Sequence, residues 1–542
     1  MFFYIAIIVL IYVLVHALWQ PFKYWKRRNI PQLKPTPLVG NFGPLLRRQC
    51  SIAELVQDIY NSHPNHRYFG AYQFFLPTLV LKDPELIKKV AVKEFDTFPE
   101  HRTVALEEVD SLLASNIFFM KGKRRRAGVM GGCYRFAGGE KWHVLRCALS
   151  PAFTSSKLKA MFALMQECAQ QFVEYFENQT GVITLEMKDA FTRYTNDVIG
   201  STAFGITCNS LKDRDNTFYA MGLQATSITL FRGLRVFMQT ISPRLAKIFQ
   251  LSIVPKFIET YFVNIIRESI SIRKEKGIVR PDMIHLLLEA RQGRLKYDDV
   301  GEDSGFAIAQ ESEARKSHGA LKASITDEDI AAQAFSFFLA GFDTSATAMC
   351  FAAYELAVNC DIQRRLQSEI DTSLASNQGE ITFEAVLGLA YLDQVVSETL
   401  RKWPPITFTD RKSVAPFTIE AKLPHEQTTH FEAGTVCWIP IYAIHRDSLY
   451  YPNPGVFDPE RFHKDNLHKI KPGTYLPFGM GPKNCIASRF AILETKLILF
   501  NILSKFNIVP VKETKIPFVQ GRNGLFLSAE GGFWLGLQHR ER

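Results

Sequence analysis

The sequence predicts a folded body built on long helices and carried behind one N-terminal membrane-spanning helix. Three stretches lead to that expectation. The first is "FFYIAIIVLIYVLVHALW" (Phe2 to Trp19), an apolar run at the start of the 542-residue chain. The second starts at Thr326 and runs on for some thirty residues without a proline. The third is "YLDQVVSETLRKWPP", a helical segment that Pro404 and Pro405 bring to a stop.

His16 is the only strongly polar residue of the first stretch, which as a helix spans roughly 27 Å, close to the hydrocarbon thickness of a bilayer. No basic residue precedes it and no small-residue cleavage site follows, so it reads as a retained signal anchor over residues 1–20. "KYWKRR" comes next, and the positive-inside rule places it in the cytosol, with the N-terminus in the lumen. Residues 21–43 read as a basic, proline-rich linker. Pro31, Pro35 and Pro37 make it stiff and extended, a spacer between the bilayer and a body over residues 44–542.

Apolar residues make up 47% of the chain, enough for a large core. The net charge of +10 is concentrated in two clusters, Lys23, Lys26, Arg27 and Arg28, and Lys121, Lys123, Arg124, Arg125 and Arg126. Removing those nine from the 64 basic residues leaves 55 against 54 acidic ones. Such a near-neutral body argues against nucleic-acid binding. The nine cysteines form no Cys-x-x-Cys pair and their number is odd, which argues against a disulfide framework or structural zinc and fits a reducing, cytosol-facing compartment.

In "TDEDIAAQAFSFFLAGFDTSATAMCFAAYELAVN", Thr326 and Asp329 form a capping box and three acids occupy the first turn. The segment is apolar nearly all round and is expected to cross the core. Its middle is unusual. Gly341 costs roughly 1 kcal/mol relative to alanine in a helix interior, and Asp343 and Thr344 interrupt an apolar run. Ser336, Leu339, Ala340 and Thr344 share a face. That pattern suits a groove for something flat beside an alcohol and a carboxylate; it equally suits a kinked core helix with a self-bonded threonine. Glu398 and Arg401, three residues apart, can pair, as could any surface Glu and Arg at that spacing. Arg461 in "FDPERF" sits among proline and phenylalanine, as a buried anchor would. In "PFGMGPKNCIASRF", Cys485 follows a Gly-Pro loop and precedes an apolar helical run. Alone it could be a small core hydrophobe.

Taken in order, these pieces resemble the cytochrome P-450 superfamily of heme-thiolate monooxygenases over nearly the whole chain. Phe478, Gly481, Lys483, Cys485 and Ala487 follow the heme-loop pattern Phe-x-x-Gly-x-Arg-x-Cys-x-Gly, with lysine for arginine and alanine for the last glycine. Ala340, Gly341, Asp343, Thr344 and Ser345 follow the oxygen-activating pattern, and Glu398, Arg401 and Arg461 the Glu-Arg-Arg triad. "AGFDTSAT", "ALSPAFTSSKLK" and "RPDMIHLLLEA" look most like the insect microsomal branch concerned with foreign compounds, akin to vertebrate 3A-type drug-metabolising enzymes.

The resemblance implies a mainly α fold with small β-sheets (α+β) and heme b with Cys485 as axial thiolate. It implies heme contacts by Arg102, Trp142, Arg146, Ala340, Arg411, Phe478 and Lys483, and proton delivery by Thr344 and Asp343. Ala340 and Gly341 would leave room above the heme. Ser336, Leu339, Ile406, Phe408 and Phe526 would face a lipophilic substrate, and Phe218 to Phe262 would form a lid touching the bilayer. Electrons would come from NADPH through NADPH–cytochrome P-450 reductase, docking near Lys141 and Lys483, with cytochrome b5 as a second donor, at the endoplasmic reticulum membrane. A heme-thiolate isomerase or dehydratase, or an idle heme-binding protein, are the competing readings; the Asp343–Thr344 pair argues against the isomerase.

Two stretches stand apart. "KGKRRRAGVMGGCYRFAGGEKW" carries some sixteen residues beyond the family pattern, and residues 121–138 read as a disordered insertion, either a basic surface patch or translated non-coding sequence. Residues 296–324 are polar and charged and read as a mobile surface loop.

Overall fold

The long segment is one helix, Asp327–Val358, closed at its start by the expected capping box. Thr326 Oγ1 accepts the Asp329 N–H at 3.1 Å, and the Asp329 carboxylate accepts the Thr326 N–H at 3.2 Å. This computed structural model describes residues 21–102, 105–120, 140–227, 229–292, 325–522, 524 and 526–541. The anchor expected over 1–20, the insertion over 121–138 and the loop over 296–324 lie outside them.

In chain order the longer helices are α1 (Ile52–Asn61), α2 (Glu140–Leu149), α3 (Ser155–Glu177), α4 (Met187–Ile199), α5 (Thr217–Thr226), α6 (Leu230–Ile241), α7 (Lys256–Lys276), α8 (Met283–Arg291), α9 (Asp327–Val358), α10 (Cys360–Ser376), α11 (Ala390–Lys402) and α12 (Ser488–Lys505). Strands β1 (Tyr68–Gln73), β2 (Leu76–Leu81), β3 (Val182–Glu186), β4 (Thr409–Lys412), β5 (Phe417–Ile419), β6 (Thr429–Phe431), β7 (Val436–Ile439), β8 (Phe506–Val509) and β9 (Trp534–His539) make three small sheets, ordered β1-β2-β7-β4, β3-β9-β8 and β5-β6. The architecture is mainly α with small sheets, as expected.

α9 is long and apolar enough to cross a membrane by composition, but most of its side chains are buried inside the protein. α4 lies along it. A Cβ on Gly341 would come within 3.0 Å of Ile199 Cδ1, so this glycine serves the close approach of α4. The expectation that it leaves room above the heme is corrected here; the open neighbour is Ala340. From α4, Thr195 Oγ1 donates to the Phe342 carbonyl at 2.9 Å and Lys188 Nζ to the Asp343 carbonyl at 2.9 Å. These donors compete with the helix's own N–H groups around its unusual middle.

The proline-rich linker is bound to the sheet along its length. Leu33 N–H donates to Gly70 O at 3.0 Å, Gly70 N–H to Pro31 O at 2.7 Å and Asn41 N–H to Tyr72 O at 2.8 Å. Upstream, Trp25 is fully buried and its indole N–H donates to Ala71 O at 2.9 Å. The ring lies where a Cβ on residue 70 would stand, 2.3 Å away, which only glycine permits. The folded body therefore starts before residue 44: a stretch rich in proline can still lend its free carbonyls and remaining N–H groups to a sheet edge.

Glu494 of α12 is fully buried, and neither carboxylate oxygen has a well-formed hydrogen bond. Burial pushes its pKa up to about 8, with only the Ser345 hydroxyl acting the other way. The folded chain thus holds a proton that the unfolded chain, titrating near 4.5, releases. Stability conferred by the protonated acid is complete below the unfolded value and is lost as pH rises towards about 8. The loss is on the order of 4 kcal/mol. Glu494→Gln should raise the melting temperature near pH 8 and flatten its pH dependence from about pH 5 upward; an unchanged slope in thermal denaturation would assign the pH dependence to other groups.

Candidate active site

Cys485 ends a loop built on two glycines with positive φ, Gly479 (+75°) and Gly481 (+77°). Its N–H donates to Phe478 O at 2.9 Å, and Asn484 N–H donates to Gly481 O at 2.9 Å. A Cβ on Gly481 would stand 1.9 Å from the Ala91 carbonyl, so the loop is pressed flat against residues 89–93. Behind the loop, α12 packs on α9 and excludes water. Phe478 and Cys485 are both half-buried.

The loop is held from the other side by the triad. Arg401 grips Glu398 through two bonds of 2.7 Å, and both side chains are fully buried, unlike the surface pair their spacing alone allowed. Arg461 Nε lies 3.5 Å from Glu398 Oε1. The Arg401 carbonyl accepts His445 Nδ1–H at 3.1 Å, and His445 Nε2 accepts the Leu476 N–H at 2.8 Å, just before the loop. Burial takes the His445 pKa down to about 3, so the ring is neutral and this tautomer stands. No spacing in the sequence singled out His445.

A second group of charges gathers beside the loop. Arg411, on β4, donates to Met480 O at 2.8 Å, and its Nε is buried without a partner. Burial takes the Arg411 pKa down to about 10. Arg102 donates to Thr78 Oγ1 at 3.0 Å and bonds Gln73, while its own N–H reaches Asp410 at 2.7 Å. Arg146 donates to Asn484 Oδ1 at 2.7 Å. Lys483 stands 4.2 Å over the Trp142 ring; burial, then the charges of Arg411 and Arg146, take its pKa down to about 7. Among the described residues, four cations therefore share one partly dry region with two carboxylates, Asp410 and Glu100. The two propionates of a heme b would bring the balancing charge, and the unpartnered Arg411 Nε is a donor of the right kind. The residues present fit the group.

One placement differs from the expectation. The Trp142 indole N–H is taken by Ile117 O at 3.0 Å, so this residue supplies a ring face to Lys483 and no free donor. Lys483 is half-buried, and its ammonium joins this cation cluster over the Trp142 ring. Lys141 is exposed but paired with Asp329 at 2.8 Å.

On α9, Ala340 is exposed and Leu339 and Thr344 half-buried, whereas Phe338 and Phe342 are packed away. The helix opens onto space at that face. Thr344 Oγ1 donates to the Ala340 carbonyl, as a self-bonded threonine does, and its oxygen keeps acceptor capacity towards the open side. Asp343 pairs with Lys188 Nζ at 2.9 Å, and the same ammonium reaches Thr347 Oγ1 at 2.6 Å. Lys188 lies 155 residues away in sequence and carries no motif. Of the expected substrate contacts, Ile406 is exposed, Leu339, Phe408 and Phe526 are half-buried, and Ser336 is buried.

A heme-loop cysteine, a braced proximal face and an open, proton-competent helix define a heme-thiolate oxygenase. The cytochrome P450 family model matches residues 30–535, and the chain belongs to that family. It is 44% identical to cytochrome P450 9e2 of Blattella germanica, covering 99% of this chain and 97% of that one. It is 34% identical to cytochrome P450 6k1 of the same species over 94% and 92%, and 33% identical to cytochrome P450 9c1 of Drosophila melanogaster over 96% and 95%. The protein is a P450 monooxygenase, and the family implies heme with a cysteine thiolate on iron.

Gly481→Ala forces both a strained φ and a clash with the Ala91 carbonyl, whereas Gly479→Ala meets only Asn484 Cα at 3.8 Å. The strain term is common to both, about 1–3 kcal/mol. Heme content per chain should therefore fall much further in Gly481→Ala; equal heme content in the two variants would show that the loop does not depend on that contact.

Proposed function

We propose that the protein is a membrane-anchored monooxygenase of lipophilic compounds, foreign ones among them, with Cys485 as the axial thiolate. The cation cluster beside the Cys485 loop carries this reading, because it needs a dianionic partner in the position a heme edge would take. Heme b bound there would supply the oxygen-activating and hydrogen-abstracting chemistry.

The chain supplies everything around it. Arg102, Arg146, Arg411 and Lys483 bind the carboxylates, Trp142 holding Lys483 in place. The backbone N–H groups of the loop tune the thiolate. Glu398, Arg401 and Arg461, through His445, keep the loop rigid. Thr344 Oγ holds water and passes a proton towards the Ala340 side; Asp343 restocks it, with Lys188 fixing the carboxylate's direction. Leu339, Ile406, Phe408 and Phe526 would line an apolar substrate cavity, and Phe478 would help to hold the bound heme.

The segment from α6 to α7 turns Phe231, Leu234, Leu245, Ile248, Phe249 and Phe257 outward. This apolar surface suits contact with a bilayer, continuous with an anchor over residues 1–20. Lipophilic substrates would enter from the membrane there, at the cytosolic face of the endoplasmic reticulum. Electrons would arrive from NADPH through its P450 reductase, with cytochrome b5 as an auxiliary donor.

The reading is tested by a reduced carbon-monoxide difference spectrum, and by turnover of lipophilic compounds with NADPH and purified reductase. The thiolate-type band should appear and product should require both additions; no band, or turnover without NADPH, would sink it. Cys485→Ser should lose that band and all turnover, since a hydroxyl is a poor iron ligand, and a retained band would remove Cys485 from the role. Thr344→Ala should bind heme and substrate as before yet divert electrons to peroxide. If product per NADPH stays constant in that variant, Thr344 only packs.

A further inference from the structure

Asp110 occupies the N-cap position of the short helix Ser111–Ala114, where an aspartate normally accepts N–H groups of its own helix. Here it accepts none of them. The side chain is 2% exposed and gives all its bonds to a distant stretch of chain. Oδ1 accepts Ser252 Oγ–H at 2.7 Å, Ile253 N–H at 2.9 Å and Val254 N–H at 3.2 Å, and Oδ2 accepts Gln239 Nε2–H. Gln239 is equally buried. Its Oε1 accepts Leu106 N–H at 2.9 Å and its Nε2 also donates to Leu251 O at 2.8 Å.

The two ends of this network belong to different bodies. Residues 111–117 are fixed to α9, whose Gln333 accepts Ile117 N–H at 3.0 Å and donates to Ser115 O at 3.1 Å. Gln239 to Val254 lie in the lid, whose outer face is apolar and exposed. The lid's roots are fixed too: on α5, Gly222 admits Phe338 so closely that a Cβ would stand 2.4 Å from it, and on α7, Phe262 packs on Phe335 and Phe338 at 5.1 and 4.8 Å between ring centres. Between those roots, the bonds of Asp110 to the lid and that of Leu106 N–H to Gln239 are released together if the lid lifts, while the Gln239–Leu251 bond moves with it. The exposed pair Lys247–Glu108 at 3.2 Å adds little.

We propose that Asp110 is a positioning residue that latches the lid through Gln239 and residues 252–254, and so sets the rate at which lipophilic substrates enter and leave. The proposal rests on the monooxygenase reading of the cavity beside Ala340. A buried carboxylate with four donors is stable when closed and is well solvated when open, so the latch resets without a covalent change. It acts on passage, not on the chemistry beneath, and its mark is a change in both binding and release rates with their ratio kept.

The test uses the full-length holoenzyme in phospholipid nanodiscs, with 1-phenylimidazole as the probe and its heme absorbance shift followed by stopped flow. In Asp110→Asn the new Nδ2 faces Gln239 Nε2, donor against donor. Association and dissociation should both quicken by about tenfold or more, with Kd, heme content and the carbon-monoxide band kept. Amide exchange at Leu106, Ile253 and Val254 should rise while that of α9 stays unchanged. Adding Gln239→Glu to Asp110→Asn gives the new side-chain amide an acceptor again, at the cost of the bond to the Leu251 carbonyl, and should slow both rates part of the way back. Gln239→Ala, altered on the lid side only, should reproduce the fast ones. Unchanged rates and exchange in Asp110→Asn, or fast rates that Gln239→Glu does not slow, would overturn the latch. Loss of heme in both Asp110→Asn and Gln239→Ala would make the pair part of the fold's core and equally end it. A wild-type chain without the carbon-monoxide band would instead end the monooxygenase reading, and the exchange data would still judge the latch.

Discussion

Glu398 and Arg401 meet with both side chains out of water, and much of the proximal half is arranged around keeping them satisfied. Burying either charge alone is prohibitive, and even a buried pair needs its remaining donors and lone pairs occupied. The protein meets that demand with backbone. Arg401 donates to the carbonyls of His445 and Pro454, and Glu398 accepts the Asp458 N–H at 2.9 Å. Burial still leaves the Glu398 carboxyl above its usual pKa despite Arg401 beside it. Residues 445 to 461 therefore cannot drift without stranding a charge. Tyr475, whose hydroxyl donates to Ser397 O at 3.0 Å, and Leu476, held by His445, pass that rigidity to the cysteine loop. A pair of this kind contributes little net stability, but it leaves the loop few alternative positions.

The opposite face obeys a different electrostatic logic. Around Arg411 the chain gathers more positive charge than it neutralises, and burial lowers the pKa of Arg102, Arg411 and Lys483 alike. That arrangement is uncomfortable for the protein by itself and suits an anionic ligand. The triad satisfies itself from within, and the cluster is completed from outside. The two regions meet at the same loop, one fixing its shape and the other suited to what it holds.

Much of this was legible in the sequence because it is local. The capping box at Thr326, the Glu-x-x-Arg spacing, the glycines of the cysteine loop and the apolar middle of α9 are each set by residues a few positions apart. What was not legible depends on partners far away in the chain. His445, Lys188 and Asp110 have no distinguishing neighbours, and their meaning comes from Leu476, Asp343 and Val254. Gly341 shows the limit of motif reading: a glycine beside a reactive alcohol suggested space, and the space is filled by Ile199. The proline-rich linker failed for a related reason, since proline predicts local stiffness and is silent on whether a sheet edge lies alongside.

Trp25 would give the proposed attachment to the membrane a mechanical character. With the apolar run to Trp19 in a bilayer, as proposed, only about five residues remain before the indole is locked over Gly70, a leash of roughly 20 Å at full stretch. A domain on so short a leash could not tumble freely; it would spin about the membrane normal and keep one side down. Encounters with other proteins of the same membrane would become a search over an area, with faces already turned the right way. The effective concentration of a partner would then depend on its density in the bilayer more than on its amount in the cell.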